Sequence, residues 1–357
     1  MEMDHNIKIE FSESLKKIIS GENISRNEAK QNLIYLLDHK LGIANDACFG
    51  AYFAALQTKK QTIDEAAGLM DAVVDYDRKA IDIFREFSDP LCGIIGSGKD
   101  DLKTFNISSI SSIVAASAGV KTVKNGSRAE ASIAGTTDVF EELGVNVLDR
   151  DPEILEQSLN KLNFAFCDAQ PYFPKMVKEY LGKYFFVHPL SFILPVASGL
   201  KFDRVVFGLA NDNTEFTAEL LIKLGYDNSL VVAGHDRSGK NFDEISNIGP
   251  TKISEIKNGE IKTNVLEPKD FGIEESDYQQ IKEGESIKEN AEIFRNILNN
   301  SSTKAQKDII TMNAGALIYI SGKSANINEG IEIAKKEIES GKPQILLEKF
   351  INLFKNS

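Results

Sequence analysis

Residues 93–147 read GIIGSGKDDLKTFNISSISSIVAASAGVKTVKNGSRAEASIAGTTDVFEELGVNV, and this stretch decides the fold class. It opens on a glycine-punctuated turn, Gly96-Ser97-Gly98, followed by Lys99 and the paired acids Asp100 and Asp101. After Thr104-Phe105-Asn106-Ile107-Ser108-Ser109, the spacing of Ile110, Ile113 and Val114 predicts a small-residue helix over 109–118. An apolar run from Gly119 to Val123 leads into Lys124-Asn125-Gly126-Ser127-Arg128, and Gly135-Thr136-Thr137 opens a second helix over 138–143. Loops of Gly, Ser and Thr that feed helix N-termini suit anions. The first-turn N–H groups lack intrahelical partners, and the helix dipole adds about half a positive charge. Two such ends, with Lys124 and Arg128 between them, predict one polyphosphate held from both sides.

A lone GSG is usually a plain turn. Gly93 to Lys99 also fits the opening of a nucleoside-triphosphate loop, but that motif needs Ser or Thr next for magnesium, and Asp100 stands there. The reading therefore rests on the linked order of the segments.

The rest of the chain bounds that reading. With 357 residues and 42% apolar content it can bury a large core and divides into two subdomains. A net charge of −12 argues against general nucleic-acid binding. Cys48, Cys92 and Cys167 lack metal or disulfide spacing, which fits a reducing compartment. No apolar run approaches the roughly 20 residues of a membrane span, and MEMDHNIKIEF lacks the regions of a signal peptide. A soluble cytoplasmic protein is expected.

Residues 1 to about 88 read as helical, with Ser25 and Glu28 as a capping box and Phe49, Tyr52, Phe53 and Leu56 at core spacing. Beyond Val147 the pattern is α/β: β-branched runs at 205–207 and 230–233 alternate with a helical stretch at 214–224. Lys257-Asn258-Gly259-Glu260 marks a hairpin, and 286–354 is mostly amphipathic helix. A second constellation is Asp243-Glu244. Adjacent carboxylates are oxygen ligands of the kind magnesium prefers, although such a pair on its own is usually solvated surface.

The order GSGKD, TFNISS, KNGSR, AGTTDVFEELGV closely resembles the anthranilate phosphoribosyltransferase family, whose members carry GTGGD, NIST, KHGNR and GSADLLEALG at these spacings. The Asp243-Glu244 segment resembles the family's LDEIS, and the N-terminal and C-terminal helical segments match as well. The resemblance implies a helical N-terminal subdomain (1–88) that supplies a homodimer contact. It also implies an α/β domain (89–357) of the class shared with nucleoside phosphorylases, with 163–190 contributing the hinge and acceptor site. It further implies Mg²⁺ and phosphoribosyl diphosphate. Donor contacts would fall on Gly96, Ser97, Gly98, Lys99, Asp100, Thr104, Asn106, Ser108, Ser109, Lys124, Asn125, Gly126, Ser127, Arg128 and Thr136, and metal ligands on Ser108, Asp243 and Glu244. Lys99 departs from the family's glycine.

The acceptor side departs further. The family's histidine in KHGNR is Asn125 and its asparagine is Ser127; the HHPAM segment falls near Tyr172-Phe173-Pro174-Lys175-Met176, without either histidine. The arginine that meets the acceptor carboxylate has Lys178 as its nearest candidate, and Ser191 to Val196 is more apolar than the family's GPLTNP. A buried carboxylate without a cation costs several kcal/mol. These departures lead to the expectation of a neutral aromatic acceptor, a phenol or an amine ring, with His188 and Asp168 as candidate bases. The alternatives are anthranilate itself, or a non-catalytic relative that binds nucleic acid.

Overall fold

The structure is a computed structural model that describes residues 2–79, 87–129, 132–147, 151–168, 170–180, 190, 194–197 and 202–355. In chain order come α1 (Glu2–Ile19), α2 (Arg26–Leu37), α3 (Asn45–Lys59), α4 (Ile63–Asp71), β1 (Cys92–Gly96), α5 (Ile107–Ser117), β2 (Thr122–Gly126) and α6 (Thr136–Leu143). Next are α7 (Pro152–Leu162), β3 (Phe164–Asp168), α8 (Pro174–Tyr180), β4 (Arg204–Gly208), α9 (Thr214–Lys223), β5 (Asn228–His235) and β6 (Asn241–Phe242). The chain closes with β7 (Thr251–Lys257), β8 (Glu260–Leu266), α10 (Ile287–Leu298), α11 (Lys304–Ser321), α12 (Ile327–Ser340) and α13 (Lys342–Lys355). Two compact units are formed, one from Met1–Ala80, Gln170–Gly199 and Glu219–Leu224, the other from Ile81–Ala169, Leu200–Ala218 and Gly225–Ser357.

The first unit is helical. The expected capping box starts α2: Ser25 Oγ accepts from Glu28 N at 3.2 Å, and Glu28 accepts from Ser25 N at 2.8 Å. Thr62 and Glu65 start α4 in the same way, and the buried Glu65 carboxylate also takes Ile24 N–H at 2.9 Å and Lys59 Nζ at 2.8 Å. Phe49, Tyr52, Phe53 and Leu56 of α3 are all buried, so the helical spacing read from the sequence is core spacing. Asp77 caps α8, accepting from Lys175 N at 2.9 Å and Met176 N at 2.7 Å.

The second unit is built on a sheet of order β3-β2-β1-β4-β5-β7-β8, with β6 pairing with β5. The strands from β3 to β5 are parallel, and β6 to β8 add antiparallel. The parallel strands are buried along nearly their whole length, which is why they read as unbroken apolar runs rather than alternating ones. The β7–β8 hairpin turns on Asn258 (φ 53°) and Gly259 (φ 78°), the left-handed pair that its Asn-Gly sequence predicts. Phe140 of α6 stacks with Phe166 at 4.7 Å and meets Phe294 at 5.8 Å, so α6 is pinned between the sheet and α10. Among the described residues, no helix is long and apolar enough to cross a membrane.

Candidate active site

In an open parallel sheet, ligands are met beyond the carboxyl ends of the strands. Here β1 and β4 both end in glycine, at Gly96 and Gly208, and these two residues are paired in register. The reason lies in the segment that follows β6. A Cβ on Gly208 would stand 1.6 Å from the Asp243 carbonyl oxygen, and one on Gly96 would stand 2.1 Å from Asp243 Oδ2. Only glycine lets Asp243 settle against both strand ends. Gly208 carries no motif in the sequence; the signal that could have found it is a glycine closing a β-branched run opposite Gly96.

Asp243 and Glu244 are not the solvated pair that their sequence alone suggests. Glu244 is buried and Asp243 half-buried, and the segment is locked by Asn313 of α11, whose amide accepts from Ile245 N at 2.9 Å and donates to Ile245 O at 3.1 Å. The glycine-rich loop is laced to the same strand. Gly98 N donates to Asp243 Oδ2 at 2.7 Å, Asp101 N and Leu102 N donate to Asn241 O at 3.1 and 3.3 Å, and Asn241 N donates to Asp101 Oδ2 at 3.2 Å. This lacing brings Asp100 beside Asp243. Asn241, two residues before the acidic pair, gave no sequence signal because it acts mainly through its backbone.

The electrostatics of the cluster favour a cation beside it. Burial, and then the charge of Asp243, push the Asp100 carboxyl up to about 8. Burial raises Asp243, and burial followed by the charges of Asp243 and Asp100 raises Glu244 well above the carboxylate range. Lys124 is the buried countercharge; burial pulls it down to about 8, while Asp243 and Glu244 pull the other way. Asp100 Oδ1 and Glu244 Oε2 are buried without a hydrogen-bond partner. Orphaned carboxylate oxygens are donors of the kind a hard divalent cation takes. The three carboxyls do not converge within 4.8 Å of one another, so Mg²⁺ here would complete its shell with phosphate or water oxygens.

Two helix ends lie together in the same unit. Ser109, in the first turn of α5, has its Oγ 3.3 Å from Thr136 Oγ1, the first residue of α6. Gly126 permits this, since a Cβ there would meet Thr136 Cβ at 2.6 Å. Asn106 precedes α5 without a side-chain cap, which leaves the α5 first-turn N–H groups for other partners. Asp138 tidies the other loop, accepting from Gly135 N at 3.0 Å and Ala129 N at 2.9 Å. Ser97 turns inward, its Oγ accepting from Ala210 N at 2.9 Å. Lys99 is exposed with φ 69°, the left-handed conformation a glycine would hold without strain.

A family profile described as "Glycosyl transferase family, a/b domain" matches residues 88–344. The anthranilate phosphoribosyltransferase of Desulfosudis oleivorans is 34% identical over 351 residues, covering 97% of this chain and 99% of the relative. That of Chlorobium phaeobacteroides is 33% identical over 339 residues, covering 93% and 94%. The chain belongs to the anthranilate phosphoribosyltransferase family. The crystal structure of the Thermus thermophilus family member superposes with a TM-score of 0.84 at 26% identity, covering 96% of this chain and 99% of that one. The fold expected from the sequence is therefore the observed one, and the chain is a phosphoribosyltransferase. A Saccharomyces cerevisiae member, solved in complex with phosphoribosyl diphosphate and magnesium, shares the fold with a TM-score of 0.83 at 24% identity over 97% of this chain and 98% of that one.

Within this family frame, several residues expected at the donor site have other partners. The Arg128 guanidinium forks onto Glu141 at 2.6 and 2.7 Å and reaches Asp138 at 3.1 Å, so it braces the loop against α6. Thr104 forms a bridge with Lys282. Ser108 sits in the first turn of α5, partly exposed, and Ser127 O accepts from Thr137 N at 3.2 Å. Asn125, where the family has histidine, is buried with both amide atoms unpartnered, and Lys124 Nζ donates to its carbonyl. Asp168 ends β3, buried and paired in register with Gly126. Lys178 is 76% exposed and lies 3.7 Å from Glu179. His188 and residues 191–193 lie outside the described residues.

Proposed function

We propose that the chain transfers the 5-phosphoribosyl group of phosphoribosyl diphosphate to anthranilate, with Mg²⁺, releasing diphosphate. The observation that carries the donor half is the set of half-buried Asp100 and Asp243 and buried Glu244, with orphaned oxygens on Asp100 and Glu244, near the buried Lys124 and in the unit where the N-termini of α5 and α6 meet. Mg²⁺ held by these carboxylates and Ser108 supplies positive charge to the diphosphate. In the reaction the bond from ribose C1 to the diphosphate oxygen breaks with its electron pair leaving on oxygen, and the amine nitrogen bonds to C1 and sheds a proton. Negative charge grows on the diphosphate, and the chain meets it with Lys124 and the donors of the two helix ends, Ser109 and Thr136 among them. These groups are set before the reaction, so little reorganisation is needed.

The acceptor reading is supported by relatives such as these two, which match nearly the whole chain and bear the anthranilate name. The Asn125 amide supports it, because its unpartnered oxygen and NH₂ complement an amine and an adjacent carboxylate. Asp168, across the β2–β3 pair, is assigned the departing proton. The reading favoured by the sequence departures, a neutral phenol or amine ring, keeps one specific support: Lys178 is exposed beside Glu179, so it offers no buried cation for a carboxylate. We assign the N-terminal helices, which expose Ile9, Ile19 and Ile43, to a homodimer contact. Mg²⁺-dependent diphosphate release is measured with anthranilate beside neutral phenols and anilines. Saturable turnover of anthranilate supports the proposal, and turnover of neutral rings alone overturns its acceptor half.

A further inference from the structure

The segment 276–284 has no chemistry of its own in the sequence, yet it bonds to all three pieces of chain that carry the donor site. At its start, Ser276 N donates to Asn247 O at 2.8 Å, three residues beyond Glu244. In its middle, Tyr278 Oη donates to Lys103 O at 2.9 Å, Glu283 N donates to the same carbonyl at 3.2 Å, and Lys282 bridges Thr104. These contacts grip the chain between Asp100 and Asn106. At its end, the Glu283 carboxylate accepts from Ile133 N at 3.0 Å, in the loop between Lys124 and Thr136. The segment is itself anchored. Ile281 is fully buried, and Asn290 of α10 accepts from Gly284 N at 3.1 Å and donates to Gly284 O at 3.3 Å.

We infer that 276–284 is a strap that fixes the relative placement of the three donor-site loops, and that Glu283 is its positioning residue for phosphoribosyl diphosphate. The inference rests on the phosphoribosyl-transfer reading of that site. The asymmetry of the contacts selects Glu283. The Lys103–Thr104 loop is also held by β6 through Asn241, and Asn247 is held by Ala305 O at 2.9 Å, so both survive the loss of one strap contact. The loop carrying Ile133 is held by Asp138 at Ala129 and Gly135, on either side of Ile133, and Ile133 itself is tied to the strap by this carboxylate. Glu283 is too far along the chain from the motifs to be read from sequence, and it acts on a backbone N–H group, so any acceptor of the same reach can replace it.

That last point supplies the test. Glu283→Ala raises KM for phosphoribosyl diphosphate roughly tenfold, the scale of one lost charge-assisted hydrogen bond, and leaves kcat within about twofold. Glu283→Gln, which keeps an acceptor oxygen, restores KM to within about twofold of the parent. Tyr278→Phe, which loosens the other loop, raises KM less than Glu283→Ala because Glu283 N still holds Lys103 O. Amide exchange of the ligand-free protein gives a readout independent of catalysis: Ile133 N–H exchanges faster in Glu283→Ala than in the parent or in Glu283→Gln. An unchanged KM in Glu283→Ala, or equal impairment in Ala and Gln, overturns the strap. A parent protein that turns over no acceptor overturns the functional reading instead, and the exchange rates then decide the strap alone.

Discussion

Gly208→Ala is the sharpest test of how the site is assembled. The new methyl would begin 1.6 Å from the Asp243 carbonyl oxygen and 2.5 Å from its carbon. Real Cβ contacts essentially never fall below 3.0 Å, so the Asp243 backbone must retreat by at least about 1.4 Å. The retreat is opposed on the other side by Asn313, which grips Ile245 at 2.9 and 3.1 Å. Overpacking of this kind costs about 1–3 kcal/mol of stability. The functional cost is larger, since a displacement of about 1 Å in a catalytic constellation is worth roughly 10²-fold in rate. The expected result is a fall of about 10²-fold in Mg²⁺-dependent diphosphate release, with saturation shifted to higher Mg²⁺, in a protein that still melts cooperatively. Gly259→Ala is the control. Its φ of 78° brings strain, but its Cβ would meet nothing within 4 Å, so stability falls by about 1–2 kcal/mol while turnover and Mg²⁺ dependence stay. Parental Mg²⁺ dependence and rate in Gly208→Ala would refute the claim that these strand-end glycines place Asp243.

Lys99→Gly relieves a left-handed backbone (φ 69°) at the cost of a freer unfolded chain, for a net gain of about 0.5–1 kcal/mol in thermal or urea melts. It also removes a cation from the glycine-rich loop, so KM for phosphoribosyl diphosphate rises several-fold, most strongly at low salt. In the helical unit, hydrogen bonds from Lys17 and then from Ser25 N hold the Glu28 carboxyl down at about 2. A depressed acid gives stability that is present above its unfolded value and lost as pH falls toward the folded one. Glu28→Gln therefore flattens the loss of stability between pH 4.5 and 2, seen in melts of the two proteins across that window. At pH 7 it costs less than about 1 kcal/mol, because the Lys17–Glu28 pair is largely solvated.

How much could be read in advance depended on the range of the interaction that decides each feature. The capping box at Ser25 and Glu28, the Asn258-Gly259 turn and the buried strands are local, and each formed where its pattern predicted. The two helix starts were legible through linked motifs, and Ser109 and Thr136 meet because Gly126 leaves room. Arg128 carries a contact that its motif did not announce. A cation between two helix ends reads as a phosphate ligand; Asp138 and Glu141, one helical turn apart on α6, also present a fork that the guanidinium fits, and that pairing lies outside the motif. Gly208, Asn241 and Glu283 stayed hidden because they act through a missing side chain or on backbone groups far away in sequence. The departures at Asn125 and Ser127 were visible, but a changed residue does not reveal the group it meets, and the relatives weigh toward anthranilate.

The same cluster makes a stability argument that separates site from scaffold. Asp100 and Asp243 are half-buried beside the buried Glu244, and Glu244 Oε2 has no partner, so without a divalent cation the crowding of these carboxyls is relieved only in part, by Lys124 and by proton uptake. A group kept for packing should destabilise when altered; a group kept for a cation should do the opposite when the cation is absent. Burial and the neighbouring acids raise the Glu244 carboxyl. At neutral pH without a cation the fold must hold it charged against them or take up a proton there, and either costs stability. Glu244→Gln is close to isosteric and removes that cost. In chelator it is expected to raise stability by about 1–2 kcal/mol, the scale at which functional sites trade stability for activity. In saturating Mg²⁺ the order reverses, because the parent gains cation-binding free energy that the variant lacks, and turnover of the variant is lost. Paired melts in chelator and in Mg²⁺ read both signs. A variant less stable than the parent in chelator would mean that Glu244 is a structural carboxylate, and the metal site would then have to be built from Asp100 and Asp243 without it.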